Sequence, residues 1–231
     1  MGRSFYTRGR APPSMPIALR RGLDPQSRRQ LVATYERSLR RHGPTVQALR
    51  WADEDSQRDR FRLIAEVGPW DGASVADVGC GLGDLFGYLQ EHGHRVRYHG
   101  LDLSRRMVAA ARRKYTHPDA TFEVRDILAD GLGGAFDYVV ASGTFNLKLA
   151  GHDRFLRQML TEMYEGCLRA VAFNIFHPYS NPRWTALVDG ARYYSVPRRT
   201  VVGWCRRLSP EVEIRPGAGE RESTLFVRRR C

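Results

Sequence analysis

Hydrophobic positions change their spacing near residue 70. Before it they recur every three to four residues. Leu31, Val32, Tyr35 and Leu39 share one side of a helix expected from about Ser27 to Arg41, and Phe61, Leu63, Ile64 and Val67 do the same from about Asp55 to Val67. Each segment runs into a Gly-Pro pair, Gly43-Pro44 and Gly68-Pro69, which cannot continue a helix. Beyond it, short apolar runs alternate with helical stretches. SVADV (74–78), RVRYHGL (95–101), ATFEV (120–124), FDYVVA (136–141) and LRAVAFNI (168–175) predict strands, and two more are expected at 211–216 and 223–229. Helices are expected near 84–92, 104–115, 152–166 and 197–207. Such alternation makes a parallel sheet with crossover helices on both faces. The RPGAGERES loop between the last two strands is too short to hold a crossover helix, so that pair should be antiparallel. The fold class expected is α/β, a doubly wound seven-stranded sheet, mostly parallel, with a C-terminal antiparallel hairpin.

Residues 1–26, with Pro12, Pro13, Pro16 and Pro25 among glycines and arginines, read as a flexible basic leader. Residues 27–231 read as a single domain, with a helical N-terminal cap over 27–68, a ligand-binding core over 69–180 and a C-terminal helix and hairpin over 190–231. Apolar residues form 42% of the chain, and no apolar run approaches the roughly eighteen residues of a membrane span, so a helical membrane protein is excluded. The N-terminus lacks the continuous apolar stretch of a secretory signal. Four scattered cysteines, with no C-x-x-C pair, give neither a disulfide framework nor a zinc site. A cytoplasmic location is expected. The net charge of +12 sits at the ends: residues 1–50 carry eleven arginines against Asp24 and Glu36, and residues 192–231 carry ten against four glutamates. That makes nucleic acid a partner to consider but not the favoured one, since a basic patch is only an electrostatic footprint.

The chemistry is concentrated in VADVGCGLGD, residues 75–84, where a strand runs into Gly79, Gly81 and Gly83 and then a helix. Glycines let the backbone turn tightly and approach a ligand, and a helix N-terminus offers free N–H groups. A dinucleotide fingerprint would need glycine at 84, where Asp84 stands and would repel a pyrophosphate. An ammonium or sulfonium ligand would be tolerated or attracted there. Asp102, at the end of the second strand, can accept both hydroxyls of a ribose; capping of the next helix falls more naturally to Ser104, leaving Asp102 free. Asp126 with Ile127, after the third strand, offers an acceptor for an exocyclic amine and an apolar face for a ring.

These three features, with the fourth strand FDYVVASGTFN, resemble the class I S-adenosylmethionine-dependent methyltransferases, which have a Rossmann-like sheet, an acidic glycine-rich first motif and acidic positions after strands two and three. The wording HGPTVQALRW, SQRDRF, DVGCGLGDLFGYL, ASGTFNLK and VAFNIF is similar to a bacterial subgroup of small-molecule type. The resemblance implies S-adenosylmethionine as cofactor. Gly79, Gly81 and Gly83 would pass its methionine part, Asp102 its ribose, and Asp126 with Ile127 its adenine; Ser142 and Gly143 would border the sulfonium. Asp77, Cys80, Leu103 and Met107 complete the expected cofactor set, with Trp51 either closing over it or packing an amphipathic segment.

The methyl acceptor should lie beyond strands four and five. Phe145, Asn146, Asn174, Tyr179 and Tyr193 are the expected acceptor contacts, and His177 is the candidate general base, with a loop hydrogen bond as its alternative. No metal constellation is visible, and the leading expectation is metal-independent O- or N-methylation of a small metabolite, by proximity and desolvation. The alternatives are an RNA or protein methyltransferase using its arginine-rich ends, and a non-catalytic binding protein of the same fold. Oligomeric state is left open by the sequence.

Overall fold

The computed structural model describes residues 22–180, 192–217 and 221–230. The leader expected over 1–26 therefore lies outside the described residues as far as residue 21, as do residues 218–220 of the hairpin loop and Cys231.

All seven strands form: β1 (Ser74–Val78), β2 (Arg97–Asp102), β3 (Ala120–Val124), β4 (Phe136–Ala141), β5 (Cys167–Phe176), β6 (Val212–Pro216) and β7 (Glu222–Arg228). They make one sheet of order β3-β2-β1-β4-β5-β7-β6. The first five pair in parallel, and β7 enters antiparallel between β5 and β6. Six of the seven residues of β7 are buried, as its interior place requires.

The helices are α1 (Pro25–His42), α2 (Glu54–Ala65), α3 (Asp84–Glu91), α4 (Arg105–Lys114), α5 (Ile127–Asp130), α6 (His152–Glu165) and α7 (Arg198–Arg206). Among these described residues no helix is long and apolar enough to cross a membrane. Two apolar layers cover the sheet. Leu156, Leu160 and Met163 of α6 with Val201 and Cys205 of α7 pack on Val139, Val171 and Phe173 on one face. On the other, Phe61 and Ile64 of α2 join Leu89, Tyr98 and Val108.

The N-terminal part departs from the sequence reading. Helix α1 starts at Pro25, inside the expected leader, because the Asp24 side chain accepts from the N–H groups of Gln26 and Ser27 at 3.1 and 2.9 Å and proline suits the first helical position. A single 3-10 turn, Val46–Leu49, was not expected and ends at Arg50, the sole described non-glycine residue with positive φ, at 66°. The four-residue α5 also went unforeseen, being too short to show a hydrophobic period.

Candidate functional site

The loop after β1 opens the site. Its Gly79 and Cys80 N–H groups both donate to the Leu101 carbonyl, at 2.7 and 3.1 Å, and Gly81 N–H donates to Asp102 Oδ2 at 3.0 Å. The loop is thus tied to the end of β2. A β-carbon at Gly79 would meet Thr144 Oγ1 at 2.6 Å, and one at Gly81 would meet Leu49 at 2.5 Å, so no side chain fits between loop and roof. Above it lies a cleft of about 1080 Å³ counted to its open mouth, ample for a small-molecule ligand.

The cleft brings together most of the residues expected for the cofactor: Asp77, Gly79, Cys80, Gly81, Asp102, Leu103, Met107, Asp126, Ile127, Ser142, Gly143 and Trp51 all line it. Gly83 does not. It is the N-cap of α3, at φ 79°, and faces Phe122 and Tyr115, where a β-carbon would meet ring atoms at 2.6 Å; it holds the helix start against β3 instead of a ligand.

Three carboxylates face this space. Asp77 is buried and accepts from the Tyr98 hydroxyl; burial, with the charges of Asp102 and Asp84, pushes its pKa up to about 7 against the lowering effect of Tyr98. Asp84 accepts from Gln57 Nε2 at 3.2 Å and from Lys114 Nζ at 2.5 Å. Asp102 is also raised by desolvation, opposed by backbone N–H groups. Ser104 does cap α4, accepting from Met107 N–H at 3.2 Å, but Asp102 is not left free: its oxygens accept from Ser104 and Gly81 N–H at 2.8 and 3.0 Å. A carboxylate oxygen takes two such bonds, so Asp102 keeps acceptor capacity for a diol. Asp126 is similarly engaged. Oδ1 caps α5 by accepting from Leu128 N–H at 3.1 Å, and Oδ2 accepts from Leu23 N–H at 3.3 Å, fastening the entry to α1 over the end of β3.

The acceptor set expected from the sequence does not line the cleft. His177 is buried, its Nδ1 3.0 Å or less from Val196 O and its Nε2 3.0 Å from Ser223 Oγ, and burial lowers its pKa; both nitrogens are occupied in joining β5 to β7 and the segment before α7. The candidate base is a structural clamp, which corrects that expectation. Phe145 is fully buried between Phe155 and Phe173. Asn174 acts one layer back: its Oδ1 accepts from Gly143 N–H at 2.8 Å and its Nδ2 donates to Ser142 Oγ at 3.3 Å, fixing the turn that does line the cleft. Asn146 is buried and its main-chain carbonyl accepts from Tyr194 N–H, while Tyr179 is stacked under Arg221, 3.7 Å from ring centroid to guanidinium. Tyr193 meets Arg50, whose Nη2 donates to its hydroxyl at 3.4 Å.

The roof was missed. Leu23, Leu31, Val32 and Tyr35 of and before α1, Leu49, Gln57 and Phe61 after them, and Phe155 and Met159 of α6 also line the cleft. In the sequence these are ordinary apolar helix positions, indistinguishable from core. Trp51 closes the end near β4: a β-carbon on Gly143, itself at φ 72°, would meet its ring at 2.7 Å. Arg60 lies 4.5 Å over the same ring and is held by Glu222 at 2.6 and 2.5 Å.

The arrangement suits a ligand with a ribose, a flat base and positive charge. Asp102 would hold the hydroxyls, Leu103 and Ile127 the base, and the acidic trio the charge, which would offset the burial and the lesser carboxylate repulsion that together raise Asp77. Comparison with known proteins agrees. A family profile described as a methyltransferase domain matches residues 75–167. The Mycobacterium tuberculosis protein named "Putative methyltransferase Rv1506c" is 31% identical over 174 residues, 73% of this chain and 99% of its own. Trans-aconitate 2-methyltransferase of Azoarcus sp. is 28% identical over 154 residues, covering 63% of this chain and 59% of that enzyme. Among solved structures, magnesium protoporphyrin IX methyltransferase (ChlM) from Synechocystis PCC 6803 with bound SAH has a TM-score of 0.63 at 18% identity, over 88% of this chain and 100% of that one. N-methyltransferase NodS from Bradyrhizobium japonicum WM9 with SAH has 0.62 at 16%, over 85% and 97%. The structures share the fold and the first relative shares the sequence across its length. With its acidic glycine loop and the carboxylates after β2 and β3 in one cleft, the chain belongs to the class I S-adenosylmethionine-dependent methyltransferases, and S-adenosylmethionine is its cofactor.

Proposed function

We propose that the enzyme methylates an oxygen or nitrogen of a small metabolite, without a metal, in the cytoplasm. The observation that carries this is the roof. Helix α1 and the 46–51 turn cover the glycine loop, with Leu31, Val32, Tyr35, Leu49 and Trp51 over it, so the acceptor must fit an enclosed, largely apolar space. A polynucleotide base would have to displace that cover.

S-adenosylmethionine supplies an activated methyl on a sulfonium whose positive charge disappears as the methyl leaves. Water exclusion by the apolar roof, and alignment by the Ser142-Gly143 turn that Asn174 fixes, are then the chain's contributions. His177 has no part as a base, since both its nitrogens are engaged away from the cleft. The relatives named for trans-aconitate and for magnesium protoporphyrin IX support a low-molecular-weight acceptor. The described cysteines Cys80, Cys167 and Cys205 are free thiols, in keeping with a reducing compartment.

The test is incubation with methyl-labelled cofactor and a cell extract separated into metabolite, RNA and protein fractions. Label is expected among the metabolites. Label confined to RNA or to protein rejects the proposal.

A further inference from the structure

Of the α1 side chains that line the cleft, Leu31 and Val32 are apolar and Tyr35 ends in a hydroxyl. That hydroxyl has no hydrogen-bond partner among the described residues. Burial pushes its pKa up to about 12, against the charge of Arg50 and with that of Asp102, so at neutral pH it keeps its proton and can donate. A desolvated donor with nothing to donate to costs free energy that a bound ligand recovers. The Tyr35 ring packs on the apolar cluster of Ala48, Leu82, Met107 and Ala110 next to Leu49, and a β-carbon on Gly81 would meet Leu49. Tyr35 therefore stands at the glycine loop, where the methionine part of the cofactor is expected.

That part brings one anion, an α-carboxylate, into a space lined by Asp77, Asp84 and Asp102. These three attract the ammonium and the sulfonium and repel the carboxylate, which needs donors of its own. The loop has spent most of its N–H groups: those of Gly79 and Cys80 donate to Leu101 O, that of Gly81 to Asp102 and that of Gly83 to Cys80 O. Arg125 is the one cationic side chain among the described lining residues. It follows β3, with β2 between it and the loop, and its guanidinium already donates to Glu123 and to the carbonyls of Asp130 and Gly131. The other polar side chains of the lining are engaged as well. Ser104 donates to Glu36 at 3.0 Å, Thr144 to Val78 O at 2.8 Å and Gln57 to Asp84 at 3.2 Å, while Ser142 belongs to the turn after β4, where Asn174 Nδ2 binds its oxygen. Tyr35 is the free hydroxyl donor at the loop.

We propose that Tyr35 is a cofactor-binding residue whose hydroxyl donates to the α-carboxylate of S-adenosylmethionine. The helix that roofs the cleft then grips the cofactor as well as covering it. The assignment concerns the cofactor alone and is independent of which acceptor is methylated.

The test is calorimetry on the full chain, without acceptor, using S-adenosylmethionine and decarboxylated S-adenosylmethionine, which keeps the adenosine, sulfonium and ammonium and lacks only the carboxylate. Tyr35→Phe retains the ring on Met107 and Leu82 and should unfold at the same urea concentration as wild type. It is expected to weaken S-adenosylmethionine binding about tenfold, through loss of one charge-assisted hydrogen bond, and to change binding of the decarboxylated form by no more than about twofold. A contact to the ribose, or a general loosening of the roof, would instead weaken both ligands alike. Equal weakening of the two, or an unchanged affinity of Tyr35→Phe for S-adenosylmethionine, overturns the assignment.

Discussion

Replacing Asp77 by asparagine isolates an unusual electrostatic load. Asp77 has a pKa of about 7 in the folded protein against an ordinary value of 3.8, chiefly from burial. Between those values the folded chain keeps a proton that the unfolded chain has released, so stability must fall as pH rises through this window and level off above about 7. From pH 5 to pH 8 the loss should be about 3 kcal/mol, given 1.36 kcal/mol for each of the roughly two pH units over which only the folded chain holds the proton. His152, pushed down to about 4 by burial, acts in the opposite sense, binding its proton only in the unfolded chain between about 4 and 6.5. The raw pH profile is therefore composite. The difference between wild type and Asp77→Asn removes the histidines, and the asparagine Oδ1 can still accept from Tyr98. Urea unfolding of both proteins without cofactor at pH 5, 6, 7 and 8 gives that difference. It should decline with pH and flatten near 7. A flat or rising difference refutes the electrostatic reasoning.

The same group predicts that cofactor affinity, measured by calorimetry, weakens about tenfold from pH 8 to pH 6, as Asp77 takes up a proton and loses its attraction for a cationic ligand. Asp102→Ala should cost about 2 kcal/mol of cofactor binding through two charge-assisted hydrogen bonds, and unchanged binding would remove Asp102 from the ribose site. Gly143→Ala should lower kcat/KM at least tenfold in the labelled-methyl assay, since its β-carbon would overlap Trp51; wild-type activity would show that the turn and the indole are free to separate. His177→Ala should lower unfolding free energy by about 2 to 4 kcal/mol by stranding Val196 O and Ser223 Oγ, with no loss of a titrating limb from the kcat profile. Intact stability with abolished turnover would restore it as a base.

The sheet was legible because its information is periodic. Strand and crossover alternation, and a last loop too short for a helix, specify order and direction without tertiary detail. That the residues expected for the cofactor would gather in one cleft was legible for a similar reason, most of them being fixed in spacing to the ends of β1, β2, β3 and β4. Acceptor residues were not, because their roles depend on which way a side chain points. Asn174 and His177 have chemistry suited to a site, yet one secures a turn and the other a strand. Leu31 and Tyr35 look like core but face a cleft. Asp102 and Asp126 show a further gap: sequence foresaw the carboxylates but not that backbone N–H groups would already occupy part of each.

The place of β7 also bears on how the protein is made. A ribosome delivers the chain from its N-terminus, so α1, the glycine loop and the first five strands emerge before the strand that must slide in against β5. Until then the nascent sheet exposes an unpaired edge, open to strands of other molecules. Only when residues 222–228 emerge can that edge be covered, and with them comes Glu222, which meets Arg60 beside Trp51. Completion of the sheet and completion of the active-site roof are therefore one event, and a chain stalled before Glu222 should be both aggregation-prone and unable to set its tryptophan.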